Sequence, residues 1–506
     1  MHRSGKNDKP MGSPSQQNDS HHSQERILKN TSYLTVAYVL QKVMSFVYFI
    51  YIARVIGPVD FGLYDPAKSL IPILLILIDF SLSVVLVREI ARKPEKTEDY
   101  LSNVLSVKAI FAFIIILGMG LFTNFSSFEE NQQLIKTILY LDALIVALDT
   151  FTLTFFAVFR GHQNMKFEAL GMIGTQVLTI LFGVASLKFD WGLQALFVAV
   201  VIGSIFNFIF SYVMLRKKLK IRVAFGWDMS IIKTFIKTAL PFAITAIFVK
   251  IYTYTDRFML LIVEGQGAVG WYAVSHKLTY ALEFIPSAFA ISIFPAMSAF
   301  FISSKEKLAK TFERSMHYLS VIAVPISIGI FILADQLIIK ISGEAYVTSI
   351  IPLRILIVGL VVIFLNFPVG AFLNACNKQV VNTINMGITV FINVTLNIYF
   401  VAVRGFSFNG AATAALISGL VLFFLGLRWV GKINPYNGKK IIKAFLKALL
   451  AGSIMAIVLL LLKDSTSIFI SIPCGAIVYF AALYAFKGVT RSDFIMLYNA
   501  LLKKFI

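Results

Sequence analysis

Charge is scarce in this chain of 506 residues. Only 14% of its residues are Asp, Glu, Lys or Arg, where soluble domains carry about 25%. Cysteine is scarcer still. Cys376 and Cys474, in a short loop and a late span, are too sparse for a disulfide framework. Histidine occurs six times, and the one adjacent pair, His21 and His22, lies in a polar stretch that offers no metal-binding spacing. No G-x-x-x-x-G-K-[ST] loop exists, so ATP binding through a P-loop is excluded. No acidic residue falls in the first apolar span, which carries Lys42 instead. Long polar loops are missing too. The longest on the odd side, 123–134 and 335–350, lack His and are too short for a membrane polymerase or ligase.

Apolar sequence is what the chain has. Hydrophobic residues make up 58% of it, and the mean hydropathy is +0.80. A bilayer crossing needs ~20 mostly apolar residues. Fourteen such spans can be read, at 33–53, 66–87, 104–122, 135–159, 167–187, 193–215, 240–263, 271–294, 318–334, 351–373, 380–403, 411–430, 448–462 and 468–486. The fold class is therefore all-α and polytopic. The net charge of +20 is explained by topology, not by nucleic acid. Segments on the even side, with both tails, hold 32 of the 46 Lys and Arg, and the odd-side loops hold six. That bias places both termini in the cytoplasm.

The organisation follows from these spans. Residues 1–30 are polar, without an apolar run, and read as a disordered cytosolic tail rather than a signal peptide. Residues 31–215 form a first lobe of six spans, and 239–430 a second. Between them, 216–238 reads as a cytoplasmic linker with an interfacial helix, whose Ile231, Ile232, Phe235 and Ile236 face Lys233 and Lys237. Residues 431–506 hold a basic linker, two further spans and a tail. The expected architecture is two six-helix lobes around a central cavity plus two C-terminal helices.

Several spans carry charges that a bilayer disfavours. An ionisable group at mid-membrane costs at least ~2.5–3.5 kcal/mol and usually faces a bundle interior or an aqueous cavity. The stretch KIYTYTDRFMLL, 250–261, stands out. Helical spacing puts Lys250, Thr253, Tyr254 and Arg257 on one stripe, with Asp256 a quarter turn away. Two cations, a hydroxyl and a phenol on one face suit an anion, while interhelical ion pairs are the structural alternative. Lys68 and Asp79 share a face of the second span, and Asp142 and Asp149 one of the fourth, an acidic stripe for Lys42 and Lys68. Lys108 is expected to snorkel to an interface. Lys277, Tyr280 and Phe284 share a face that fits a phosphate-sugar ligand or ordinary packing. Asn393 and Asn397 lie one helical turn apart.

Four stretches carry a family resemblance: YIARVIGPVDFGLYDPAKSL (51–70), LIDFSLSVVLVREIAR (77–92), the run from Tyr254 through DRFMLLIVEGQGAVGWYAVSHKL to IFPAMS, and FNGAATAALIS. In order and spacing the chain resembles the polysaccharide-export flippases of the multidrug/oligosaccharidyl-lipid/polysaccharide (MOP) superfamily. The resemblance implies a non-enzymatic flippase that carries polyprenyl-diphosphate-linked oligosaccharide from the cytoplasmic to the outer leaflet of the cell membrane by alternating access. It implies membrane lipid as a partner, with a polysaccharide polymerase or glycosyltransferases, and no nucleic acid. The substrate-binding candidates are Lys42, Arg54, Lys68, Lys250, Tyr254, Arg257 and Lys277. No cofactor is implied beyond Na+ or H+ coupling, for which the peptidoglycan-precursor branch points to Asp256, Asn393, Asn397 and Thr413. Asn397 departs from that branch, which has a carboxylate there, and hard cations prefer anionic oxygens. The alternative is a cation-coupled drug or metabolite antiporter of the same superfamily, expected to present an acidic cavity.

Overall fold

The computed structural model describes residues 14–125 and 132–489, with side chains from Tyr33 onward. Every element among them is helical. The first half holds α1 (Pro14–Asp79), α2 (Leu82–Arg92), α3 (Thr97–Phe125), α4 (Gln132–Gly161), α5 (Lys166–Lys188), α6 (Gln194–Lys218) and α7 (Met229–Val263). The second half holds α8 (Gln266–Tyr280), α9 (Phe284–Ser303), α10 (Lys305–Ile332), α11 (Ala334–Ser342), α12 (Ile350–Ala375), α13 (Gln379–Asn397), α14 (Ser407–Ile433), α15 (Gly438–Leu462) and α16 (Ile468–Ala485). Among the described residues, thirteen helical segments are long and apolar enough to cross a membrane. The first of these, Tyr33–Asp79, is 47 residues long and breaks at Gly57, where φ is +75°. Its two arms are the first two of the fourteen expected spans. Large apolar side chains such as Phe113, Ile291 and Leu461 remain more than two-thirds exposed. In water such a surface would be costly; in lipid it is the solvent-facing surface. The chain is a multi-pass membrane protein.

The helices group into two units. One comprises the residues up to Tyr48 together with Leu74–Ala243; the other comprises Phe49–Ile73 and Ile244–Ile506. The short segment 49–73 thus groups with the later part of the chain, a division that helical periodicity does not reveal. α1 begins at Pro14, inside the stretch expected to be a disordered tail, and residues 1–13 lie outside the described ones.

In the first unit, the core joins Leu86 and Ile90 of α2, Leu101 and Val104 of α3, and Phe155 and Phe159 of α4. The expected interfacial helix is instead the first turns of α7. Asp228 starts it by accepting from the Ser230 amide at 2.8 Å, as N-terminal carboxylates do. Ile232 and Phe235 then enter this core, with Phe235 5.5 Å from the Tyr100 ring. Their apolar surface goes to protein rather than to the headgroup layer.

Lys108 also differs from expectation. It is fully buried, with Nζ 2.6 Å from an Asp79 oxygen, 2.8 Å from Ser83 Oγ and 2.7 Å from Thr154 Oγ1. Asp79 ends α1, and the chain breaks through Phe80 and Ser81, both at positive φ, before α2. The break delivers a carboxylate to the ammonium, so pairing inside the bundle replaces snorkelling. A second polar cluster joins the buried Glu168 to Arg160 Nε at 2.8 Å and to the Tyr38 hydroxyl. Asp142 is fully buried, and Asp149 hydrogen-bonds Ser204. In the second unit, Phe312, Phe364 and Phe372 anchor one core, and Tyr479 and Met455 join α15 and α16 to α10 in another.

Candidate functional site

The stripe read on α7 does come together. The Tyr254 ring lies under both of its cations, 5.8 Å from Lys250 Nζ and 5.3 Å from the Arg257 guanidinium carbon. Such contacts are worth about 0.5–2 kcal/mol and hold the cations to one face. Arg257 is buried. Its Nε stands 2.8 Å from an Asp65 oxygen, and its Nη2 is 3.0 Å from His276 Nδ1. The Asp65 contact uses one oxygen on one nitrogen, although guanidinium and carboxylate can form a two-pronged pair. The His276 ring stacks on Tyr280, with centroids 3.9 Å apart and planes 8° from parallel.

Two glycines explain how Asp65 reaches Arg257. A Cβ on Gly62 would lie 1.7 Å from the Gln266 carbonyl oxygen, and one on Gly270 would lie 1.9 Å from that of Pro58. Only bare backbones can cross so closely. The segment 58–65 therefore lies against α8, and Asp65 follows three residues after Gly62.

Asp256, the residue before Arg257, enters a different cluster. It accepts from the Tyr272 hydroxyl at 2.6 Å and from Asn397 Nδ2 at 2.7 Å. Asn397 Nδ2 also lies 3.0 Å from the Asn393 carbonyl oxygen and 3.3 Å from its side-chain oxygen. Asn393 in turn donates to Ser418 Oγ at 3.1 Å. A π-helical turn over Ile398–Val403 follows Asn397 directly, and such turns recur at functional sites.

The remaining predicted residues go elsewhere. Thr413 donates to the Asn409 carbonyl of its own helix at 2.8 Å. Arg54 donates to the Lys340 carbonyl at 2.5 Å. Lys68 donates to the Tyr64 hydroxyl at 2.9 Å. Lys277 lies 5.5 Å over the Phe49 ring. Lys42 is exposed and belongs to the first unit. Sequence reasoning missed Asp65, Tyr272 and His276. A carboxylate beside Pro66, and a lone His next to Lys277 in an apolar run, were the available signals.

This arrangement, a buried guanidinium and a second cation on one helix face, can hold an anion within the apolar part of a membrane protein. The chain matches the family described as "Polysaccharide biosynthesis protein" over residues 27–301. It belongs to that family. Within the polysaccharide biosynthesis family, the chain is similar to the capsular polysaccharide biosynthesis protein CapF of Staphylococcus aureus, at 24% identity over 78% of this chain and 97% of that one. Two solved structures show its fold. The lipid II flippase MurJ, in an inward closed conformation, has a TM-score of 0.74 and 16% identity, covering 91% of this chain and 99% of that one. A multidrug-resistance MATE transporter of the MOP superfamily, in an inward-facing conformation, has a TM-score of 0.65 and 17% identity, covering 80% and 98%.

Proposed function

We propose that this family member is a flippase. It carries a polyprenyl-diphosphate-linked oligosaccharide from the cytoplasmic to the outer leaflet of the cell membrane by alternating access, for cell-surface polysaccharide assembly. The observation that carries the reading is the buried Arg257 on a shared face with Lys250 and Tyr254. A diphosphate leaving the headgroup region loses water at a cost of several kcal/mol per charge unless cations replace it. Arg257 offers a planar fork to phosphate oxygens, and Lys250 adds a point charge. Asp65 then acts as a stand-in anion, holding the guanidinium until phosphate oxygens displace it. The CapF and MurJ likenesses support this reading. The MATE transporter shares the fold, but two cations on α7 disfavour a cationic drug.

Asp256 is the candidate coupling group. Its surroundings fit a sodium ion poorly. The Asn397 amide nitrogen sits among the oxygens that would ligate the ion, and Thr413 is turned to its own helix. No step is therefore routed through sodium, and a proton on Asp256 is the simpler coupling.

Binding of a short-chain polyprenyl diphosphate to the purified protein tests the anion reading. Arg257→Lys should weaken it by about tenfold or more, because charge without the fork gives one contact instead of two. Equal affinity in Arg257→Lys and wild type would contradict the role given to the fork.

A further inference from the structure

The second unit contains a cavity of about 170 Å3, smaller than a typical drug-sized site but, at ~10–15 Å3 per water, roomy enough for a single sugar ring. Its walls are mostly apolar, with Leu356, Val362 and Leu416 among them. Four polar side chains interrupt them: Tyr252, Tyr280, Glu283 and Asn366. Glu283 ends the 3-10 turn between α8 and α9 and lines the cavity. Gly419 leaves space in the wall; a Cβ there would still be 3.8 Å from the Tyr252 hydroxyl.

We infer that this cavity receives the sugar attached to the diphosphate. The inference rests on the diphosphate reading of Arg257. Tyr280 links the two places: one side of its ring carries His276, whose Nδ1 is 3.0 Å from Arg257, and Tyr280 itself lines the cavity. A sugar ring has apolar C–H faces and a rim of hydroxyls. Tyrosine rings and aliphatic walls match the faces. A carboxylate accepts hydroxyl hydrogens, and the Asn366 amide both donates and accepts. The other parts of the substrate fit badly. A phosphate would be repelled by Glu283, and a polyprenyl chain would bury that carboxylate and three further polar groups without replacing their water. The cavity therefore selects the sugar and leaves the phosphates to Arg257.

The test compares binding of a short-chain polyprenyl diphosphate, bare or carrying one hexose, N-acetylhexosamine or deoxyhexose, to the full chain in nanodiscs. In wild type at least one sugar should tighten binding by about tenfold. Glu283→Gln and Asn366→Leu should reduce that gain to within about twofold while binding the bare diphosphate as wild type does. Gly419→Val, which fills the wall without altering a polar group, should do the same. Arg257→Ala should lose both ligands. Bare diphosphate bound with no gain from any of the sugars overturns the cavity assignment alone, as does a gain that survives all three cavity variants. Cavity variants that lose bare and sugar-bearing ligand equally also overturn it. A wild-type protein that fails to bind bare diphosphate overturns the Arg257 reading and this inference together.

Discussion

Arg257→Met is expected to destabilise the protein, and the size of the effect follows from its partners. The side chains of Arg257 and Asp65 are 8% and 20% exposed. Removing one member of a buried ion pair strands the other, at a cost of about 3–5 kcal/mol. Asp65→Leu should cost a similar amount by stranding the guanidinium. The paired Asp65→Leu/Arg257→Met change leaves no unpaired charge, and apolar replacement of a buried pair is often neutral. One deficit remains: His276 Nδ1 loses its donor, worth about 1–3 kcal/mol for a buried group. The paired variant should therefore be more stable than either single variant, and the cycle strongly non-additive. Unfolding titrations in mixed micelles on the four proteins give the coupling energy. Losses that simply add would refute the claim that Asp65 is held by Arg257.

Two further outcomes are expected. Lys108→Met should lower stability by about 3–5 kcal/mol by stranding Asp79 beside a broken helix, and Asp79→Leu in the same chain should restore most of it, measured by the same titration; a neutral single change would contradict the burial of that pair. Sodium should leave the wild-type melting temperature unchanged, because the Asn397 amide already fills the oxygen nest around Asp256. Asn397→Asp adds a second carboxylate and should create a sodium-dependent rise by mass action, whereas a rise in wild type would show that the amide yields to the ion.

The helical architecture was largely legible in the sequence, because each span must satisfy its own backbone hydrogen bonds and cover itself in apolar side chains. The α7 stripe was legible for the same reason: Lys250, Tyr254 and Arg257 are related by one helix's period. Partners from other helices were not. Asp65 lies 192 positions before Arg257, and what joins them is the close backbone approach of Gly62 to Gln266 and of Gly270 to Pro58, which leaves no periodic trace. Lys108 reads as a snorkelling residue because its hydropathy context places it near a span end; the break at Phe80 and Ser81 that brings Asp79 to it is a local strain, not a pattern. Lys42, Arg54 and Lys68 resemble Arg257 as isolated cations in apolar sequence, and only tertiary contacts distinguish them. The Asn397 substitution was visible, yet its consequence, a nitrogen placed among three oxygens, needed the geometry of α13.

The central claim is that Arg257 serves the substrate and not merely the fold. Leaflet exchange of a fluorescent polyprenyl-diphosphate oligosaccharide in reconstituted vesicles tests it most directly, with the paired Asp65→Leu/Arg257→Met variant set against wild type, because the paired change strands no charge and costs less stability than either single change. The account predicts a folded variant with exchange reduced to the rate of protein-free vesicles. Exchange at the wild-type rate in that variant would contradict it.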